Sequence, residues 1–429
     1  MTPSRSIAAG LVVALTLAAC NGDDDTTTAV SDDGTTTEST ADTVDSGDSV
    51  GSGDSGDATV ETSAADDTAT AEDTTGDTSG ATSGGDAMAV VAGEPFPEAR
   101  CEANRAAGTI DYFTGFDYAA AASILEVLVA EQAGYYDDLC LDVEITPSFS
   151  TANYALVAEN EVQFASSGSF SELASQAAST GGDLVALSVD GYVAIDVLMV
   201  KPDRASSLAD LEGQTIGIKG ALPPAVAVML RQEAGLTEGD GFDTALLDGF
   251  DPVAHWAIDD IAALPGWRSN EPGALERSGE TFDLYDPGDV GVPGSFGLVY
   301  TNRQFLTEHP TAAEDFMRAT LRGLADAIAD PEAAATAAFE LVEAGGNPNF
   351  LSPEGEVFRW TTDAATIVAT TPDGSFPGIP IAEPLEAQIV AYDEVGVYGD
   401  DGPPSTDGRY DTELAAGLYA DDGTVIWPG

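Results

Sequence analysis

The sequence predicts an α/β fold in two lobes, preceded by a signal peptide and a disordered acidic linker. From about residue 106 onward, short apolar segments with strand periodicity alternate with longer helical segments, which favours parallel α/β sheets. The 429 residues and 43% hydrophobic content are enough to build two cores. A Gly/Pro-rich stretch between Trp267 and Tyr300 has the composition of a crossover between the lobes.

The chain is strongly acidic, with 75 Asp and Glu residues against 14 Lys and Arg residues. Nucleic-acid phosphates require clustered basic side chains, so this composition excludes nucleic acid as a partner. Removing Arg5 and the 18 acidic residues of segment 21–90 still leaves 57 acidic and 13 basic residues. Such a field favours neutral or cationic ligands over anions. Adaptation to salty surroundings, or solubility, would produce the same composition.

The N-terminus has the features of a targeting segment. Arg5 precedes an apolar run over 7–17, which is too short to cross a bilayer but has the length of a signal-peptide core. The four residues ending at Cys20 resemble the bacterial lipobox, which implies a signal peptide over 1–20 and lipidation of Cys20; an ordinary secretory signal is the alternative. Residues 21–90 contain almost no large apolar side chain, so they form a disordered linker.

Two cysteines, Cys101 and Cys140, remain once Cys20 is assigned to the lipid. An exported protein folds under oxidising conditions, so we expect a disulfide between them, with two free thiols as the alternative. The bond would close a loop of roughly 40 residues, which stabilises a fold by about 4 kcal/mol in the chain-entropy model.

The elements after the linker are assigned from hydrophobic periodicity and from residues typical of helix ends. For example, Pro near the start and Gly just past the end predict a helix over 224–234. The predicted strands are 109–113, 139–145, 162–165, 184–189, 197–200 and one ending at 218. The other predicted helices are 119–133, 153–160, one opened by 166–169, 253–263, 312–329, 331–344 and 354–370. Ligands of parallel sheets bind beyond the carboxyl ends of strands, so we expect binding at the loops after Phe113, Ala165 and Ile218.

Three aromatic side chains could stack on a flat ligand. Phe116 and Tyr118 follow the first strand, and Trp267 opens the central stretch; core packing is the alternative for each. Lys219 and Gly220 follow a strand of the second lobe, where the next helix exposes backbone N–H groups. One of only two lysines in the chain lies at this edge, which favours a ligand contact.

A serine-rich turn follows the strand at 162–165. Ser167, Gly168 and Ser169 open a helix there, so they either donate hydrogen bonds to a ligand or cap the helix. Ser169 and Glu172 have the spacing of a capping box.

Asn270 and Glu271 come directly before Pro272, where the backbone is pushed extended and a helix can begin. A carboxylate that faces an aminopyrimidine or an ammonium group makes charge-assisted hydrogen bonds, which favours a ligand role for this pair. Alternatively, Glu271 only starts the helix, near its positive end.

Three motifs carry a family resemblance. They are Val129-Ala130-Glu131-Gln132 with Gly134-Tyr135-Tyr136 and Leu141-Asp142-Val143-Glu144; Asp210-Leu211-Glu212-Gly213 with Ile216-Gly217; and Ser269-Asn270-Glu271-Pro272 with Asp289-Val290-Gly291-Val292-Pro293. Through them, residues from about 106 to 345 resemble the type II, periplasmic-binding-protein-like solute-binding proteins of ABC importers. The most similar subgroup holds the thiamine-pyrimidine-precursor, nitrate, alkanesulfonate and taurine binders, and the third motif is similar to the pyrimidine-precursor branch.

The resemblance implies a venus-flytrap fold, with lobe 1 beginning at 106–200, lobe 2 at 201–297, and a return to lobe 1 with C-terminal helices at 298–429. It implies a monomeric, extracytoplasmic component, lipid-anchored on a bacterial cell membrane, that works with an ABC permease and ATP-binding subunits. The implied ligand is a small nitrogenous solute such as a thiamine-related pyrimidine precursor. Alternatives are nitrate, sulfonate or taurine, another small solute, or a surface lipoprotein without a transport role.

The sequence does not favour an enzyme. Its two histidines, His255 and His309, lack a partner at a recognisable spacing, and the HExxH, GxxxxGK[ST] and CxxC motifs are absent from the sequence. We therefore expect no catalytic residue, metal or cofactor.

Overall fold

The computed structural model describes residues 86–347 and 351–429. The predicted signal peptide, its Cys20 and most of the predicted linker lie outside the described residues. The strands are β1 (Thr109–Phe113), β2 (Asp142–Thr146), β3 (Phe164–Ser167), β4 (Leu184–Gly191), β5 (Asp196–Val200), β6 (Thr215–Ile218), β7 (Asp243–Leu246), β8 (Ala263–Trp267), β9 (Asp283–Tyr285) and β10 (Phe296–Asn302). The α-helices are α1 (Glu98–Ala106), α2 (Leu125–Gln132), α3 (Tyr135–Asp138), α4 (Ser150–Ala158), α5 (Phe170–Thr180), α6 (Pro224–Ala234), α7 (Pro252–Trp256), α8 (Glu271–Ser278), α9 (Arg303–Glu308), α10 (Pro310–Ala329), α11 (Pro331–Gly345), α12 (Pro353–Thr370) and α13 (Ala382–Glu394).

The strands form two five-stranded sheets, in the orders β2-β1-β3-β10-β4 and β7-β6-β8-β5-β9. In the first sheet β1 is parallel to β2 and β3, whereas β10 is antiparallel to β3 and β4. In the second sheet β6 is parallel to β7 and β8, whereas β5 is antiparallel to β8 and β9. Both sheets are thus mixed rather than wholly parallel, because each accepts one strand that arrives from the other sheet.

Two crossings between the sheets define the lobes. The chain leaves the first sheet after Gly191 and enters the second at Asp196, ahead of the boundary predicted at residue 201, because β5 pairs with β8 and β9. It returns between Tyr285 and Phe296, within the Gly/Pro-rich stretch. Lobe 1 therefore holds the first sheet and lobe 2 holds the second.

The C-terminal helix α13 joins the two lobes. Leu385 and Ile389 lie in a core with strands of lobe 1, whereas Tyr392, one turn further on, packs in the core of lobe 2. The segment 298–429 therefore does more than return to lobe 1: one of its helices spans both cores.

Several predicted elements have different bounds. The predicted helix 253–263 ends at Trp256, and its last residue already belongs to β8, a strand buried on both faces that shows no alternation. The predicted helix 119–133 begins only at Leu125. The predicted strand 139–145 begins at Asp142, because Leu139 and Leu141 are buried in the turn after α3.

The first helix, α1, is fixed to lobe 1 by a disulfide and by a buried ionic cluster. Cys101 and Cys140 form a disulfide, as predicted. On the same helix Arg100 donates to Asp315 of α10 from Nε and Nη2, at 2.6 and 3.0 Å. Asn104 and Arg318 also donate to this carboxylate, which is fully buried. Among the described residues, no helix is both long and apolar enough to cross a membrane.

Candidate functional site

A cleft lies between the two lobes, beyond the carboxyl ends of β1, β3 and β6. It has an outer chamber of about 280 Å³ and an inner chamber of about 70 Å³. The outer chamber is lined mainly by lobe 2 residues, with Phe116 of lobe 1 and Arg359 of α12. The inner chamber is lined by the loop 121–124 and by residues 166–168 of lobe 1, with Trp267 and Ser269 of lobe 2. The sequence analysis predicted ligand binding at the ends of these three strands, because strands and helices alternate along the chain.

Aromatic side chains from both lobes form the walls of the cleft. Phe116 and Trp267 line both chambers, and Phe250 lines the outer one. The Phe116 ring lies 5.6 Å from that of Phe149 and 6.2 Å from that of Phe250, measured between centroids. Trp267 remains 39% exposed, so part of its apolar surface is available to a ligand. Such walls suit a flat ring.

Glu271 connects three of the predicted site residues. Its Oε1 lies 2.5 Å from Lys219 Nζ, and its Oε2 accepts a hydrogen bond from the backbone N–H of Trp267 at 2.7 Å. The carboxylate packs so closely beneath β8 that a Cβ at Gly266 would come within 2.7 Å of the Glu271 side chain. Both oxygens are therefore satisfied within the protein, and Glu271 positions Lys219 and Trp267 as well as starting α8.

Asn270 is held by a helix that follows much later in the chain. Its Oδ1 accepts a hydrogen bond from Arg359 Nη2 at 2.8 Å. Arg359 also lies 3.5 Å from the buried Glu356, whose Oε2 accepts from the backbone N–H of Ala120 at 2.6 Å. A chain of polar contacts thus connects the lobe 2 side of the cleft, through α12, to the loop before α2 in lobe 1.

This loop before α2 is fastened by buried carboxylates. Besides the contact from Ala120, Ala122 N–H donates to Asp363 at 3.1 Å and Ser123 N–H donates to Asp190 at 2.7 Å. Ala120, Ala122 and Ser123 therefore donate their backbone N–H groups to side chains instead of to helical carbonyls, which explains why α2 starts late. Asp363 also lines the inner chamber.

Burial controls the charge of these carboxyl groups. Desolvation is the main cause that raises the pKa of Asp190 to about 7 and that of Asp363 to about 6. The pKa of Glu126, which is coupled to Asp190, is raised for the same reason. In the outer chamber, burial and then the neighbouring Glu271 raise the pKa of Asp196 to about 7.

We expect the unfolding free energy to fall as the pH rises from about 4 to about 7. Groups with raised pKa values favour the folded state fully below their unfolded pKa of about 3.9, and this contribution is lost progressively as the pH rises through their folded pKa. The folded pKa values of Asp363 and Asp190 are about 6 and about 7, and the free energy levels off above them. Urea unfolding across this range measures the slope. Asp190→Asn should flatten it, and a wild-type profile that rises with pH would contradict this account.

Most of the predicted ligand residues line the cleft, but three do not. Phe116, Lys219, Trp267, Asn270 and Glu271 line the outer chamber, and Ser167 and Gly168 line the inner one. The Ser167 hydroxyl is engaged by Tyr154 and by the Ser169 carbonyl.

The exceptions, Tyr118, Ser169 and Gly220, are outside the lining of both chambers. Tyr118 packs against the lobe 1 core. Ser169 caps α5 by accepting a hydrogen bond from Glu172 N–H, which agrees with the capping alternative and not with the ligand-donor alternative. Gly220 has a φ of +85° in the turn after β6, a conformation that glycine adopts without strain.

Several lining residues were not found from the sequence. They are Asp196, Phe250, Arg359 and Asp363, together with Glu172, which the sequence indicated only as part of a capping box. A signal for part of this set does exist. Glu356, Arg359 and Asp363 follow one another at spacings of three and four, on the same helix face as the buried Trp360. Charged residues on the apolar face of a helix indicate a buried polar network rather than a solvated surface.

Within the described residues, no group of three or more His, Cys, Asp or Glu side chains is arranged to hold a metal ion. His255 contacts the Asp248 carbonyl through Nε2 at 2.8 Å, and neither described chamber is lined by a histidine.

Together, the two sheets, the double crossing and the cleft define a periplasmic-binding-protein-like fold. Residues 121–334 match the family model described as NMT1/THI5 like, so this domain belongs to the NMT1/THI5-like family. The sequence resemblance to this group of proteins is thus confirmed.

Individual relatives are more distant. The riboflavin-binding protein RibY of Chloroflexus aurantiacus is 31% identical over 131 residues, which cover 30% of this chain and 36% of RibY, about a third of its length. The aliphatic sulphonate binding protein SsuA of Escherichia coli matches with a TM-score of 0.52 and 14% identity, over 70% of this chain and 91% of SsuA. SsuA of Methylobacillus flagellatus KT matches with a TM-score of 0.52 and 12% identity, over 72% and 93%. These structural likenesses show the fold.

Proposed function

We propose that this protein is the extracytoplasmic solute-binding component of an ABC importer. In this proposal the cleft captures a small, flat, nitrogenous solute, of the class of thiamine-related pyrimidine precursors, and releases it unchanged. The observation that carries the proposal is the cleft itself, which has aromatic walls from both lobes and a carboxyl-lined inner end. A two-lobed molecule with such a cleft can close around a ligand and open again.

The charge distribution favours a nitrogenous solute over nitrate, sulfonate or taurine. Of the two cations that line the outer chamber, Lys219 is paired with Glu271. Arg359 contacts Asn270 and Glu356, and its buried Nε lacks a hydrogen-bond partner of good geometry among the described residues. An anion placed in the inner chamber would meet Asp363 and Glu172, and the lining of that chamber contains no Lys or Arg to compensate, which is unfavourable. A neutral or cationic solute avoids this cost.

Riboflavin is the second candidate, because RibY is 31% identical over the matched segment. The size of the cleft favours the smaller solute. The outer chamber, at about 280 Å³, is slightly smaller than the usual range for ligand sites, which begins at about 300 Å³. A single ring with short substituents suits this space, whereas a three-ring flavin would require the lobes to open further.

A thermal-shift screen of the full chain tests the ligand class. Aminopyrimidines, riboflavin, simple amines, nitrate and alkanesulfonates would be compared at equal concentration. A solute at 100 times its dissociation constant adds about 2.7 kcal/mol of stability. We expect the aminopyrimidines to give the largest shift. Strong stabilisation by sulfonates without a pyrimidine response would overturn the ligand class.

The membrane anchor is a separate proposal, because Cys20 lies outside the described residues. Lipidation there would hold the protein on the membrane through the acyl chains, with the linker as a spacer. Cys20→Ser is expected to release the protein into the soluble fraction after expression in a bacterial host, measured by fractionation and blotting. Continued membrane association of this variant would contradict the anchor. Permease and ATPase genes beside this one would favour transport over a surface lipoprotein.

A further inference from the structure

We infer that the inner chamber is a subsite for a hydrogen-bond-donating nitrogen group of the solute, such as an exocyclic amino group, and that Asp363 is its acceptor. This inference rests on the proposed function, since it names the part of the solute that the cleft selects. Asp363 belongs to α12, outside the stretches from which the binding residues were predicted.

The first observation is an unsatisfied acceptor. Asp363 is only 2% exposed, and its Oδ2 accepts the hydrogen bond from Ala122 N–H. Its Oδ1 is buried and has no hydrogen-bond partner of good geometry within the part of the chain that the structure describes. Burial raises the pKa of Asp363, and a looser contact with the Ser269 hydroxyl, which lines the same chamber, offsets part of this rise. The same side chain lines the inner chamber. A buried carboxylate oxygen without a donor is costly, so a donor from the solute would be selected strongly.

The second observation is the size of the chamber. At about 70 Å³ it is about a quarter of the size of the outer chamber, at about 280 Å³. The smaller chamber therefore suits a short substituent such as an amino group better than it suits the main ring. Phe116 and Trp267 line both chambers, so a ring between them in the outer chamber can extend one short substituent into the inner one.

The third observation is the chemistry of the remaining lining. Glu172 is the other titratable group of the inner chamber, and Ser150, Ser166 and Ser167 supply hydroxyl groups. Nitrate or a sulfonate would bring negative charge against two carboxyl groups. A methyl group would fit but would leave Asp363 Oδ1 without a donor. A nitrogen group with N–H bonds is the substituent that satisfies both the size and the polarity.

Titration calorimetry on the full chain tests this subsite with two probes, a substituted 4-aminopyrimidine and the same pyrimidine with hydrogen in place of the amino group. The wild-type protein should bind the amino compound about 10-fold to 100-fold more tightly, because the analogue leaves a buried acceptor unpaired. Asp363→Asn should lose most of this preference, since its amide can still accept from Ala122 but no longer offers a carboxylate. Glu354→Gln, at an exposed acid of the same helix, should keep it.

The outcomes separate the two proposals. Equal affinity of the wild-type protein for both pyrimidines would overturn the subsite and leave the proposed function standing, and this comparison does not depend on the folding of any variant. An undiminished preference in a folded Asp363→Asn protein would overturn the role of Asp363. If the wild-type protein binds neither pyrimidine, the subsite and the proposed ligand class both fail.

Discussion

Replacing Asp315 with Asn is expected to lower the unfolding free energy by about 3–5 kcal/mol, because the buried Arg100 and Arg318 then keep only the partly exposed Glu314 as an ionic partner. Asp315 is fully buried and accepts hydrogen bonds from Arg100, Asn104 and Arg318. Burial disfavours the charged Arg100, yet its bonds to this carboxylate leave its pKa raised. Urea unfolding monitored by circular dichroism measures the loss.

A matched control is Asp183→Asn. Asp183 makes ion pairs with Arg303 at 3.0 Å and with Arg409 at 3.6 Å, but its own side chain is about half exposed. Exposed pairs contribute only about 0–1 kcal/mol, so this variant should unfold close to the wild type. Similar effects of the two substitutions would show that the cluster around Asp315 does not hold α1 in place. The Cys101–Cys140 disulfide should be kept oxidised throughout.

The second large effect is expected at the Glu271–Lys219 pair. Glu271→Gln and Lys219→Met should each weaken solute binding by about 10-fold, because either change disturbs the Glu271 carboxylate that positions Trp267. The double variant should bind about as well as either single variant, since both singles remove the same contact. Dissociation constants from a double-mutant cycle measure this coupling.

Independent roles would give a different pattern. If Glu271 and Lys219 each contact the solute directly, their effects should add, and the double variant would bind about 100-fold more weakly than the wild type. Arg231→Met serves as a control for the loss of a cation, because Arg231 is exposed on α6 and lies outside the lining of both chambers. Its affinity should match that of the wild type.

The parts of the fold that were predicted to the residue have strong local end signals. The helix α6 begins at Pro224 and ends before Gly235, and β1 alternates strictly between its two faces. The elements that were missed or misplaced lack such signals. The strand β8 is buried on both faces and contains Pro265 and Gly266, and the loop before α2 is held by distant carboxylates rather than by its own sequence.

The residues of the site likewise divide into those with a local sequence signal and those that only tertiary packing brings to the cleft. Phe116, Trp267 and Glu271 were found because they lie beside strand ends or family motifs. Arg359 and Asp363 were missed, because they reach the cleft from a helix about 90 residues further along the chain. A charge on a helix has the same local appearance whether it faces water or a cleft, so only tertiary packing distinguishes the two cases.

Binding without chemical change is the central claim, and one measurement tests it most directly. The full chain is titrated with an aminopyrimidine by calorimetry, and the solute is then released by denaturation and weighed by mass spectrometry. The account predicts one solute per chain and an unaltered mass on release. Recovery of a converted product, or the absence of binding by any nitrogenous solute alongside saturable binding of an alkanesulfonate, would contradict it.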